Sequence, residues 1–431
     1  MVVLEAITAA LAADWRGALV VALSIVALFV TGEVLRRRFA VETEYTRKLS
    51  HLGAGFIVGV FPWLISDVVT VVVLSLAFAV LLLGGKLTGT LGSVHNVERR
   101  TSGAYYYPFA VLGLFWLSEG NPLLYCPPIA VLAISDTGAA IVGKRSGKRR
   151  YRVMDGARSV EGSLTFFALT FAIVLSALAI AGRPGWPEML LVTLVVSIMA
   201  TATEAVCVRG IDNLFIPYAC FLILERTLRL GLADLSGWFE GMILTLAVVV
   251  LSWRRSGLTE AGGLLVFVIG TLAWALGGLL WVLPLAALYA FFVSVIPDTD
   301  PEETYAFAQD TDLTDVFPAT AASLIVLLAF GHFEDDALFI PYLATLSAGG
   351  ALSLGRMARN RRWPAVPLVF SGAVAPVLPV TAFDTEVPVL AVSIIGAGAL
   401  GTFFLLSMTP FVGRRLLSTL LSGALAWSIL A

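Results

Sequence analysis

Charge is scarce in this chain. Only 13% of its 431 residues are Asp, Glu, Lys or Arg, about half the roughly 25% of a typical soluble domain. With 58% of residues hydrophobic, there is too little polar side chain to cover a water-facing globule. That excludes an ordinary soluble protein. Histidine and cysteine are rare as well, at 3 each. Cys126, Cys207 and Cys220 fall in or beside apolar runs without metal-ligand spacing, so they read as inert packing thiols. His95 and His332 have no partner pattern and read as surface residues. Net charge is only −2, which gives no sign of a nucleic-acid partner. No basic stretch precedes the first apolar run, which therefore reads as a retained span.

Long apolar runs fill the rest. Each is long enough to cross a hydrocarbon core of about 30 Å, and only helices satisfy their own backbone there. The expectation is an all-α, polytopic membrane protein with about 15–16 transmembrane helices. In the first half, spans are expected near Leu19–Leu35, Leu49–Ile65, Val68–Leu83, Ala104–Leu117, Leu123–Val142, Leu164–Ala181, Met189–Val208, Leu214–Leu230 and Trp238–Trp253. The second half adds Leu258–Leu280, Trp281–Ile296, Phe317–Gly331, Ala337–Leu354, Pro364–Phe383, Val387–Met408 and a last span after Arg415. Two domains are expected, residues 1–255 and 256–431. Eighteen Lys/Arg fall in alternate loops of the first half, against four on the opposite side or near it. By the positive-inside rule the N-terminus lies outside and the basic loops are cytoplasmic.

The most basic stretch, Ser135–Ser163, has Asp136 and Glu161 near its ends and seven Lys/Arg between them. Asp136, Ala140, Gly143 and Gly147 recur at helical spacing, giving a face with a carboxylate and then a smooth track. A nucleotide phosphate can lie on such a track, with Lys144 and Lys148 beside it as point charges. Helix packing and anchoring to anionic headgroups account for the same residues structurally. Ser159 is placed to cap the next helix with Glu161 in its first turn, where anions are attracted. A carboxylate beside phosphate-binding groups also suits Mg²⁺, which takes one or two carboxylates plus substrate phosphates. Glu204 lies in an apolar segment, where ionisable groups are functional candidates. Asp212 and Asn213 follow at the mouth of the next run, and a capping role explains Asp212 equally well. Arg47 and His51 lie one turn apart on one helix face. Basic residues there commonly snorkel to headgroups. The loop 298–315 carries seven acids and no basic residue; it reads as solvated.

In order along the chain stand RKxxH (Arg47, Lys48, His51), DxxAxxxGxxxGK (Asp136 to Lys148), SxEGS (Ser159 to Ser163) and ExxxxxxxDN (Glu204 to Asn213). Together, over about residues 45–230, they resemble the CTP-dependent polyprenol kinase family of dolichol kinase and phytol kinase, relatives of the membrane phosphatidate cytidylyltransferases. The resemblance implies phosphoryl transfer from CTP to a membrane isoprenoid alcohol, with Mg²⁺ as cofactor. It assigns Asp136, Gly143, Gly147, Lys148, Ser159, Glu161 and Gly162 to the nucleotide–Mg²⁺ site. Glu204, Asp212 and Asn213 complete it, with Arg47, Lys48 and His51 nearby. Lys144, Lys148 and Arg158 would supply cations to phosphate. Asp136, Glu161, Glu204 and Asp212 are the expected metal ligands, with Asp136 preferred as general base. Two departures stand out: Arg158 replaces a Lys common in the family, and Ala140 replaces a Ser. The second half, from LTEAGG, is faintly like the phytyl-phosphate kinase membrane family but lacks its polar motifs.

Two other readings compete. A cytidylyltransferase acting on a lipid phosphate would share the basic loop, but its serine, lysine-arginine and paired-aspartate segment is replaced here by ATEAVCVRGIDN. A transporter would place polar groups at mid-bilayer in both halves. The expected partners are thus a lipid alcohol, CTP and the bilayer, with a second copy of the chain also allowed.

Overall fold

The computed structural model describes residues 2–88, 103–153, 156–183, 185–207, 210–256, 260–295, 317–361, 371 and 374–377. It is an all-α membrane protein. Among the described residues seven helices are long and apolar enough to span a bilayer, and Tyr105–Leu117 and Ala322–Gly331 are shorter apolar helices. Many large apolar side chains face outward: Leu23 is 61% exposed and Ile180 is 89% exposed. In water such contiguous apolar surface would drive association; in lipid it is the solvated face.

The chain divides into two compact units, Met1–Leu235 and Ser236–Ala431. The first begins with α1 (Val2–Arg38), α2 (Thr43–Gly59), the single turn α3 (Phe61–Leu64), α4 (Val68–Thr88) and α5 (Gly103–Leu117). Next come α6 (Pro122–Ala130), a π-helical turn (Val131–Ser135) and α7 (Asp136–Ser146), a nearly continuous rod. Two short strands, β1 (Arg150–Val153) and β2 (Gly156–Ser159), then pair antiparallel before α8 (Val160–Ala181). The unit closes with α9 (Trp186–Val206) and α10 (Asp212–Thr227). Its core holds Phe61, Phe115 and Tyr125 in mutual ring contact, and the buried Tyr125 hydroxyl donates to the Val58 carbonyl at 3.1 Å. In the part of α1 away from its terminal arginines, Asp14 is buried and accepts from the backbone N–H of Ser66 and Asp67 and from the Ser66 hydroxyl. This pins the α3–α4 connection.

The hairpin was not expected in an all-helical reading. Its strands occupy the polar loop, where the backbone has no apolar face to build a helix on. The π-helical turn was also unforeseen.

The second unit takes in most of α11 (Leu232–Ser256), with α12 (Glu260–Val295), α13 (Phe317–Phe333) and α14 (Phe339–Arg361). Helix α12 contains a break at Gly278, whose φ of 68° only glycine adopts readily. The expected boundary between two spans lay two residues further on. Trp281 stacks on Phe330 at 4.0 Å, and the Tyr342 hydroxyl donates to the Trp281 carbonyl at 3.0 Å. The acidic loop 298–315, His95 and the expected spans from Pro364 onward lie outside the described residues, apart from 371 and 374–377.

Candidate active site

Helix α2 brings Lys48 and His51 against the π-helical turn. The approach is close because Gly55 has no side chain: a Cβ there would stand 2.2 Å from the Ala133 Cβ. His51 Nε2 lies 3.0 Å from the Leu132 carbonyl. A carbonyl only accepts, so Nε2 carries the proton and Nδ1 of the neutral ring is left to accept. The next residue after the turn is Asp136. Its Oδ2 accepts from Lys48 Nζ at 2.7 Å and stands 3.7 Å from His51 Nε2. The Lys48 and Asp136 side chains are only 10% and 15% exposed, so this is a buried ion pair. Such pairs do little for net stability, but removing one partner strands a charge and costs about 3–5 kcal/mol. Unusual helix geometry of this kind is frequent at functional sites. Arg47, on the same helix, is half-buried.

The hairpin delivers the second part. Its register sets Tyr151 opposite Arg158, so the two side chains share a face. The Tyr151 hydroxyl meets Ser163 Oγ at 2.6 Å, tying the hairpin to the first turn of α8. Arg158 reaches inward: one guanidinium nitrogen pairs with Glu204 Oε1, and another donates to the Cys207 carbonyl at 3.1 Å. Glu204 is 4% exposed, and its Oε2 is buried without a hydrogen-bond partner. Asp212 opens α10, ahead of its apolar part, and accepts from the Asn213 N–H at 3.0 Å. Loss of hydration first, and then the negative charge of Asp136, push the Asp212 carboxyl above its ordinary value; Arg158 and Lys48 oppose this. Asp212 thus shares one electrostatic environment with Lys48, Asp136 and Arg158. Asn213 and Gly210 stand against Gly103 at the start of α5.

The glycine face of α7 is closed. A Cβ at Gly143 would lie 3.0 Å from Ser159 Oγ, and one at Gly147 would lie 2.7 Å from the Ser159 Cβ. Gly162 sits against the Ala139 carbonyl. The small residues therefore let the start of α8 press onto α7, and the open track expected from the spacing is absent. Ser159 is the cap foreseen for α8, accepting from the Gly162 N–H at 3.1 Å. Glu161 Oε1 accepts from the Arg149 N–H at 3.3 Å, while its Oε2 is buried without a hydrogen-bond partner. Lys144 points the other way, pairing with Glu42 at 3.0 Å and lying over the Tyr45 ring. Lys148 and Arg149 are exposed.

The expected four-carboxylate metal set is not assembled. Among the described residues no three His, Cys, Asp or Glu side chains converge as a metal-holding group. Asp136 is joined to Lys48, Glu204 to Arg158, and Glu161 to the hairpin backbone. The arrangement still suits an ion carried in on phosphate oxygens, since Mg²⁺ then needs only one or two carboxylates. The unpartnered oxygens of Glu161 and Glu204 are features a cation would relieve.

Sequence reasoning missed Tyr107, Tyr151 and the buried Ser135–Thr170 hydrogen bond of 3.0 Å. The Tyr107 ring meets that of His51 edge-on at 5.6 Å. A run of three tyrosines at residues 105–107 inside an apolar segment was its only signal.

Fold and site together define a polytopic membrane protein with a buried cluster of ion pairs at one end of its first helical unit. A phytol kinase from Synechocystis sp. is 32% identical over 232 residues, covering 50% of this chain and 90% of that protein. The chain belongs to the polyprenol/phytol kinase family. No family model matches it, and no solved structure matches.

Proposed function

We propose that the protein transfers the γ-phosphoryl group of CTP to the hydroxyl of a membrane-dissolved isoprenoid alcohol, phytol or a similar prenol. The likeness to phytol kinase carries this reading. The ordered motifs favour CTP as donor. The reaction forms a bond from the alcohol oxygen to the γ-phosphorus, breaks the bond from that phosphorus to the β-bridging oxygen, and releases CDP. Such transfer needs chiefly positioning and charge neutralisation.

The residues divide that work. Lys148 and Arg149, exposed where the hairpin begins, are placed to meet the incoming nucleotide. Asp136, Glu161 and Glu204 offer the carboxylates for a nucleotide-borne Mg²⁺, which when bound would neutralise phosphate charge. Arg158 positions Glu204. Asp136 already receives the Lys48 ammonium, which weakens it as a proton acceptor. Asp212, with its carboxyl pushed up, suits the hydroxyl proton better. We therefore move the general-base role from Asp136 to Asp212. The positive-inside pattern supports a cytoplasmic location for this end of the bundle. A panel of nucleoside triphosphates offered with phytol to the protein in liposomes tests the reading. Phytyl phosphate forming with CTP, and lost in Glu204→Gln, supports it; no phosphorylated prenol with any donor refutes it.

A further inference from the structure

An apolar cavity of about 220 Å³ lies between α1, α2, α4 and α5. Its inner wall is buried: Val21, Ala54, Val58 and Val111 are each less than 10% exposed. Its mouth is different. Val26 on α1 and Leu81 on α4 also line it and are 50% and 40% exposed. Both belong to outward-facing rows of membrane-crossing helices, so the cavity opens sideways into the hydrocarbon layer.

Two polar side chains interrupt the lining, Ser75 on α4 and Tyr107 on α5. Tyr107 is 5% exposed, and its hydroxyl is buried without a hydrogen-bond partner. A buried polar atom left this way is unfavourable, and a bound hydroxyl would relieve it. The same ring touches His51 edge-on at 5.6 Å. Ala54, on the cavity wall, lies three residues after His51 on the same face of α2. The Tyr107 ring thus joins the cavity wall to the Lys48–His51–Asp136 cluster.

Resting on the prenol kinase reading, we propose that this cavity is the acceptor site: an isoprenoid alcohol enters between α1 and α4, its hydroxyl bonds Tyr107, and its first isoprene units fill the space beside Ala54. The occupant is a lipid with one slender chain and a hydroxyl head. A charged headgroup would have to pass an apolar mouth and find only a phenol and a serine hydroxyl inside, and a two-chain lipid is too broad. At about 220 Å³ the cavity is smaller than the roughly 300–1,000 Å³ of common ligand pockets, so it takes only the hydroxyl-bearing end of a long prenol. The remainder stays in the bilayer, which makes the site tolerant of chain length beyond the first units.

The test uses the full-length protein in phosphatidylcholine vesicles with a phytol analogue carrying a diazirine near its hydroxyl, without nucleotide. Irradiation is expected to label peptides containing residues 21–26, 54–58 and 74–81. Excess phytol should suppress that labelling, and Ala54→Leu should reduce it about tenfold. Val26→Trp, at the exposed mouth and harmless to the core, should reduce it as well. Labelling spread over other lipid-facing helices, or equal labelling by a diazirine fatty acid, would overturn the proposal. Since this assay needs no turnover, it stands or falls apart from the kinase reading. In turnover, Tyr107→Phe should raise KM for phytol about tenfold, with kcat and the KM for CTP changed less than threefold. An unchanged phytol KM would remove Tyr107 from the site.

Discussion

At the scale of single residues, the site rests on two pairings that the sequence does not announce. Lys48 and Asp136 are 88 positions apart, and Arg158 and Glu204 are 46 apart, yet each pair is joined. Removing one member of the buried Lys48–Asp136 pair leaves an unpaired charge. Lys48→Ala should therefore lower stability by about 3–5 kcal/mol, measured by thermal unfolding in detergent. Replacing both residues, Lys48→Met with Asp136→Leu, should recover most of that stability and none of the activity. Equal loss in the single and double variants would show that the pair is not stranded in the way described. Asp212 behaves differently, because its partner in the folded protein is a backbone N–H. Asp212→Asn keeps shape and should lower kcat about 10²–10⁴-fold, the usual range for a general base, with little change in unfolding temperature. The chemistry-bearing residue types were legible in advance; their partners were not. Arg158 illustrates the limit. Its charge and its place before Ser159 suggested a phosphate contact, but strand register turns it toward Glu204, and register depends on a pairing that local sequence does not fix.

At the scale of elements, α7 and α8 show how one pattern supports two readings. Small residues at helical spacing describe a face that a helix or a ligand can fill, and periodicity alone does not say which. Here the start of α8 fills it, held by the Ser159 cap. Ser159→Ala should cost about 0.5–2 kcal/mol through loss of the cap. Gly147→Ala should cost more, about 1–3 kcal/mol, because its Cβ would stand 2.3 Å from the Gly143 carbonyl oxygen and 2.7 Å from the Ser159 Cβ. Gly143→Ala, with a nearest contact of 3.0 Å to a hydroxyl, should be the milder of the two. Denaturant or thermal scans of the three variants check that order. A Gly147→Ala protein as stable as wild type would mean that α7 and α8 are further apart than described. The long helices were readable because an apolar run of about 20 residues has few other fates. The hairpin was not, being two four-residue strands, RYRV and GARS, whose pairing is fixed by a short turn and by the helices around it.

At the scale of the whole molecule, the contacts of Lys144 with Glu42, Arg158 with Glu204 and Ser159 with Gly143 gather the polar ends of α2, α7, α8 and α9 on one side of the first unit. Asp14 and the α3–α4 connection mark the other end of α1, away from its terminal arginines. From the charge bias we propose that the first of these sides is cytoplasmic. A cysteine placed at Arg145, which is exposed, should react with a membrane-impermeant maleimide in inverted vesicles and not in intact cells. The reverse pattern would turn the orientation over. Both the fold and the acceptor cavity serve one idea, that a soluble nucleotide and a bilayer-dissolved alcohol meet at this end of the bundle. The most direct measurement of that idea is the fate of label from CTP in liposomes containing phytol. With the γ-phosphorus labelled, the lipid extract should become labelled in wild type and not in Asp212→Asn; with the α-phosphorus labelled, it should stay unlabelled. Label reaching lipid from the α position, or none reaching it from the γ position, would contradict the account.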